Sequence, residues 1–240
     1  MGRVSILVVT GTDTGVGKTV VTAAVAALAR ERGSSVAVVK PAQTGVGENE
    51  PGDLDDVIRL SGVTTTFEFA RFPDPLAPAA AARVSGRAAV SLAAAAARIE
   101  ELAESHRLVV VEGAGGLLVR FDEEGGTIAD LARMLRAPVL VVARAALGTL
   151  NHTALTLEAM AAGAEPGRSG DRVVAAEPGL AERCNVTDLE MLAARPLAGA
   201  LPEGAGALDR ETFAGVARAG LGPVLGGGFD PAAFRTAFRL

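Results

Sequence analysis

Residues Val4–Thr19 read VSILVVTGTDTGVGKT, an apolar, β-branched run that passes straight into a glycine-rich loop. Val4–Thr10 has the composition of a strand buried on both faces of a parallel sheet. Gly11–Thr19 then predicts a phosphate cradle between a strand and a helix. Its glycines let successive backbone N–H groups turn inward, and the following helix adds its positive end. In such a loop Lys18 reaches the β- and γ-phosphates of a nucleotide and the Thr19 hydroxyl sits on Mg²⁺. The strict motif has glycine five residues before Gly17, where this chain has Thr12. Gly11 lies one position further back, so the loop is longer by one.

Working outward, the pattern alternates. Lys18–Arg32 reads as an Ala-rich helix ended by Gly33, Ser35–Lys40 as a second buried strand and Asp53–Leu60 as a short helix with an acidic first turn. Phe72–Pro78 is a loop and Ala79–Arg83 a short helix. Ser91–Ser105 is a helix capped by Ser91, and Leu108–Val111 is a third strand ending in Glu112 and a glycine loop, Gly113–Gly116. Thr127–Leu135, Asn151–Ala162, Arg210–Ala219 and Pro231–Arg239 read as helices, Pro138–Val142 and Leu197–Leu201 as strands. This alternation predicts a doubly wound, mostly parallel α/β sheet with helices on both faces, of the P-loop NTPase-like kind. There is no internal repeat and no dividing linker, so a single domain over residues 1–240 is expected.

Composition narrows the function. A net charge of −5 leaves no basic surplus for nucleic acid. Apolar stretches are broken before about 18 residues, which argues against a membrane span, and the N-terminus has no signal-peptide cleavage pattern. The single cysteine, Cys184, fits a reducing cytoplasm. Of 23 basic residues only Lys18 and Lys40 are lysines. A chain that uses arginine everywhere else marks these two positions as needing a compact ammonium. Lys40 ends the second strand, expected beside the first, at the edge where open α/β sheets bind ligands. Two ammonium groups there suggest a phosphoryl acceptor that is itself an anion. Glu112, at the carboxyl end of a buried strand, is the expected second metal contact, and Gly113–Gly116 allow a phosphate close to the backbone. Asp53, with Asp55 and Asp56 behind it, either completes the metal shell or simply caps its helix. His152, Asn151, His106 and Cys184 have structural explanations.

The blocks GTDTGVGKT (Gly11–Thr19), KPAQTG (Lys40–Gly45), Asp53, PLAPAAAA (Pro75–Ala82), VEGAGGLLV (Val111–Val119), LGTLNHTALTLEA (Leu147–Ala159) and LPEGAG (Leu201–Gly206) together resemble the dethiobiotin synthetase family. The resemblance implies an ATP-dependent ring closure in biotin biosynthesis, in which CO₂ forms a carbamate on 7,8-diaminononanoate and the carbamate takes the γ-phosphoryl of MgATP. It implies that Lys18 and Lys40 are catalytic, and that Thr19, Asp53 and Glu112 hold Mg²⁺. ATP contacts would come from Gly15, Val16, Gly17, Lys18, Thr19, Val20, Asp53, Glu112, Gly113, Ala114, Gly115, Leu201, Pro202 and Glu203. Substrate contacts would come from Thr14, Thr44, Gly116, Leu147, Gly148 and Asn151. It further implies a cytoplasmic homodimer with the substrate site near the interface.

Two other classes share the loop. Septum-positioning and partition ATPases carry a signature lysine five residues before the loop lysine, where this chain has Asp13. Amidoligases of the cobyrinic acid type carry an added glutamine-hydrolysing domain, for which 240 residues leave no room. One stretch departs from the family pattern. Between Gly163 and Pro178 an apolar strand is expected, yet Glu165–Arg172 reads EPGRSGDR, with proline and two arginines. A short or shifted strand and a loosely made base pocket are expected there.

Overall fold

The computed structural model describes residues 5–163, 172–173 and 180–237. The chain runs β1 (Ser5–Gly11), α1 (Lys18–Glu31), β2 (Val36–Lys40), β3 (Gln43–Thr44), α2 (Asp53–Ser61), β4 (Thr66–Glu68), β5 (Arg71–Phe72), α3 (Pro78–Ser85), α4 (Leu92–Ser105), β6 (Leu108–Gly116), α5 (Ile128–Met134) and β7 (Val139–Val142). It continues with α6 (Thr149–Gly163), β8 (Arg172–Val173), α7 (Leu180–Ala193), β9 (Gly199–Ala200), α8 (Arg210–Gly220) and α9 (Pro231–Ala237). The main sheet has the order β4-β2-β6-β1-β7 and every pairing in it is parallel. Crossover helices cover both faces, as parallel pairing demands.

The alternation of side chains along each strand divides the core in two. Val8, Val39, Val109 and Val111 face α3, α4 and α5, where Ile99, Phe121, Ile128 and Leu131 are fully buried. Val9, Val38, Val110 and Val142 face α1, α2 and α8, with Leu28, Leu60 and Phe213. Helix α1 is buried from Val21 through Leu28 because the sheet, α2 and α8 enclose it, which suits its run of alanine and valine. Ser91 caps α4 by accepting from the Ala94 N–H, and Thr127 with Asp130 forms a capping box on α5.

Several expectations need correction. β2 does not lie beside β1: β6 is inserted between them, pairing with both. β6 does not end at Glu112 but continues through the glycines to Gly116, with Gly11 opposite Gly116 across an irregularity in the ladder. Thr66–Glu68 is an edge strand that its short, mixed sequence concealed. Helix α6 starts at Thr149, so Asn151 lies inside its first turn and does not cap it. Of the expected strand Leu197–Leu201 only Gly199–Ala200 pairs, in parallel with Arg172–Val173. The remainder of the irregular stretch, residues 164–171 and 174–178, lies outside the described residues, as do residues 238–239 of the expected terminal helix. No helix among the described residues is long and apolar enough to cross a membrane.

Candidate functional site

The site forms where the carboxyl ends of β1, β6 and β2 meet, at the point where β6 separates strands close in sequence. From β1 the chain turns through Thr12–Val16 into α1, whose N-cap Gly17 has a left-handed backbone (φ 95°). Gly11 is where the loop folds back most tightly. A Cβ there would lie 2.6 Å from Val16 Cγ2 and 2.9 Å from the Asp13 carbonyl oxygen. Gly11→Ala should therefore displace the loop and weaken nucleotide binding ten- to a hundredfold, the equivalent of roughly 1–3 kcal/mol of overpacking. Calorimetric titration with ADP checks this, and unchanged affinity would refute it.

Lys40 is the hub. It is 2% exposed, and its ammonium meets Asp53 Oδ2 at 2.5 Å, Glu112 Oε1 at 2.9 Å and the Gly113 carbonyl oxygen at 3.1 Å. Thr19 Oγ1 donates to the same Glu112 Oε1 at 2.8 Å. Burial opposes charge on Lys40, but Glu112 and Asp53 outweigh it and raise its pKa. Burial pushes the Asp53 carboxyl up, yet the Lys40 charge and hydrogen bond prevail and hold it low. Lys18 donates to the Asp13 carbonyl at 3.0 Å. Its burial, and then the nearby Lys40 charge, bring its pKa down to about 8. The two lysines do converge, as expected, but Lys18 opens α1 after β1 while Lys40 ends β2, and β6 separates those two strands. Each of the three Lys40 N–H donors has an acceptor, and the carboxylates of Asp53 and Glu112 balance the two lysines in charge.

Asp53 is the first residue of α2 and does not cap it. The N-cap is Gly52, whose N–H is taken by Asp55 Oδ2 at 2.7 Å. Asp56 pairs with Arg59 on the surface. Neither carboxylate reaches the site. The oxygen donors there are Thr19, Asp53 and Glu112, and Glu112 Oε2, fully buried, has no hydrogen-bond partner among the described residues. An orphaned carboxylate oxygen beside a hydroxyl and a second carboxylate fits a hard cation such as Mg²⁺. No group of three or more His, Cys, Asp and Glu side chains placed to hold a metal ion occurs among the described residues.

These residues line a cleft of about 580 Å³ together with Thr14, Gly15, Gly17, Thr44, Ala114 and Gly115. Pro75–Pro78 and Val119 form its apolar wall. Val16 is packed in the core and Leu201 belongs to the cluster under α8, so any contact from Leu201 would come from its backbone. Val20, Gly113, Gly116, Leu147, Gly148, Asn151, Pro202 and Glu203 are not part of the cleft lining. Leu147 is 91% exposed. Two participants were missed in the sequence. Arg144, after β7, donates to the Thr14 carbonyl at 3.1 Å and so braces the phosphate loop from outside. Gln43 lines the cleft beside Asp53. Nothing in an arginine-rich chain distinguished Arg144, whereas Gln43 stood inside the quoted block KPAQTG.

A family model described as an AAA domain matches residues 5–206. The chain is 63% identical over 237 residues to the ATP-dependent dethiobiotin synthetase BioD of Frankia casuarinae, covering 97% of this chain and 98% of that protein. It is 56% identical over 240 residues to the protein of the same name from a Parafrankia species, covering 98% and 100%. Among solved structures, a ParA family ATPase from Chlorobium tepidum TLS superposes with a TM-score of 0.57 at 14% identity over 90% of both chains. MinD from Aquifex aeolicus does so with a TM-score of 0.52 at 14% identity over 83% of both. Those two likenesses concern the fold alone. The loop, the paired lysines and near full-length identity converge on one assignment: the chain belongs to the dethiobiotin synthetase family of ATP-dependent ligases.

Proposed function

We propose that this chain closes the ureido ring of dethiobiotin from 7,8-diaminononanoate, CO₂ and ATP. The observation that carries the reading is the meeting of Lys18, Lys40, Thr19, Asp53 and Glu112 at one end of a cleft that also has an apolar wall. One amine of the diamine adds to CO₂ and loses a proton, forming a carbamate. A carbamate oxygen attacks the γ-phosphorus, and the bond to the β,γ-bridging oxygen breaks as ADP leaves. The second amine then attacks the carbamoyl carbon, phosphate departs and a proton is lost as the ring closes.

The loop Gly11–Thr19 would hold the phosphates through backbone N–H groups, with Lys18 turning from the Asp13 carbonyl to the phosphoryl oxygens. Lys40 would stabilise negative charge shared by the carbamate and the transferring group. Thr14 and Thr44 would orient the diamine. Thr19, Asp53 and Glu112 would hold Mg²⁺, which when bound neutralises charge on the β- and γ-phosphates. The reading includes one domain, since α8 packs on α1 and α2 in the same core as the phosphate loop. It also includes a cytoplasmic homodimer; Leu118, Leu147 and Leu155 are large apolar side chains exposed in the single chain. Light scattering at twice 24.2 kDa checks the dimer.

The test is phosphate release. It should require both diaminononanoate and bicarbonate, stop with EDTA and return with Mg²⁺. Release that needs no diamine, or that DNA or lipid vesicles stimulate, would overturn the reading. Because the loop Gly11–Thr19 would hold phosphates without reading the base and the sequence EPGRSGDR stands where an apolar strand is expected, kcat/KM for ATP, CTP and GTP should agree within about tenfold. A hundredfold preference for one nucleotide would defeat that expectation.

A further inference from the structure

We infer that Gln43 is a positioning residue: its carboxamide sets the place of Asp53 and, through it, the affinity of the site for a divalent cation with nucleotide. This deepens the reading above and rests on Asp53 being a metal contact. Gln43 opens β3 and is 4% exposed. Its Oε1 accepts from the Asp53 backbone N–H at 2.9 Å, and its Nε2 donates to the Thr44 carbonyl at 3.2 Å.

The first N–H groups of a helix lack intrahelical acceptors. At α2 the N-cap is glycine, with no side chain to offer, and Asp55 is occupied by the Gly52 N–H. Gln43, ten residues earlier, supplies the acceptor for Asp53 and so fixes where the helix begins. The two approach closely: a Cβ at Gly52 would lie 2.9 Å from the Gln43 Oε1. Asp53 is the least enclosed of the charged hub, its side chain 35% exposed against 3% for Lys40 and 0% for Glu112. Its position therefore depends most on the anchor at its own backbone. The same carboxamide touches Thr44, which ties the metal side of the cleft to the side expected to hold the diamine.

Two substitutions separate this role from space-filling. Gln43→Met keeps the volume and loses the acceptor, while Gln43→Glu keeps the acceptor and changes the charge. The readout is calorimetric ADP binding with and without Mg²⁺, on the full chain. In Gln43→Met the gain in ADP affinity on adding Mg²⁺ should fall about tenfold, the lower end for losing a residue that orients a metal ligand. ADP binding without Mg²⁺ should stay within about twofold of the parent, because Gly11–Thr19 provides it. Gln43→Glu should keep the Mg²⁺ gain within about threefold. A Met variant with the full gain, a Glu variant without it, or equal loss with and without Mg²⁺ would each overturn the inference while leaving the metal assignment intact. A parent protein that shows no Mg²⁺ gain would instead remove the metal reading and this inference with it.

Discussion

Lys40→Ala is expected to lower kcat by about 10²–10³-fold, the usual scale for removing one preorganised electrostatic donor from a water-poor site. Lys40 is buried, has all three donors engaged and sits between the carboxylates of Asp53 and Glu112. Lys40→Arg should not restore turnover. A planar guanidinium cannot direct N–H groups at once to Asp53, Glu112 and the Gly113 carbonyl in a pocket shaped for an ammonium. A Lys40→Arg enzyme with near-normal kcat would contradict the role. The ion pairs add a second, independent readout. In the parent, Lys40 pairs with both carboxylates that would take a metal, whereas in Lys40→Ala they lose that shared cation. Mg²⁺ added without nucleotide should therefore raise the Tm of Lys40→Ala more than that of the parent. Equal shifts in the two proteins would argue against shared carboxylates.

Glu112→Ala should damage both folding and activity. The side chain is fully buried, accepts from Lys40 and Thr19 and lies mid-sheet in β6. Removing one member of a buried ion pair costs about 3–5 kcal/mol, because its partner remains buried and under-compensated. Asp53 and the Gly113 carbonyl still hold Lys40, so the lower figure applies, about 3 kcal/mol. For a chain of this size that is a Tm decrease of roughly 6–12 °C. The Mg²⁺ concentration giving half-maximal activity should rise about ten- to a hundredfold. Glu112→Gln separates the two effects, since an amide still accepts from Lys40 and Thr19 but carries no charge. It should recover part of the Tm and little of the Mg²⁺ response. Full recovery of both would show that only the shape of Glu112 matters.

The amino-acid sequence by itself determined the class of fold and the chemical vocabulary of the site. Strands such as Val36–Lys40 and Leu108–Val111 are apolar on both faces, so only a sheet covered on both sides could bury them. The phosphate loop is local: its glycines, Lys18 and Thr19 lie within nine residues, and short-range geometry alone makes them a cradle. The use of lysine at only two positions marked Lys40 before any contact was visible. Tertiary structure decided what depends on strand order and on residues distant in sequence. Periodicity reports burial but carries no record of which strand lies next to which, so the placing of β6 between β1 and β2 could not be read from it. That placing puts Glu112 against Lys40, 72 residues away, and Thr19, 93 residues away. The extension of β6 through its glycines depends on the ladder offered by β1, against the turn preference of glycine itself. Whether Asp53 caps a helix or faces a metal turned on its neighbours: Asp55 takes the capping bond, Gln43 takes the backbone N–H, and the Asp53 carboxylate is left to meet Lys40.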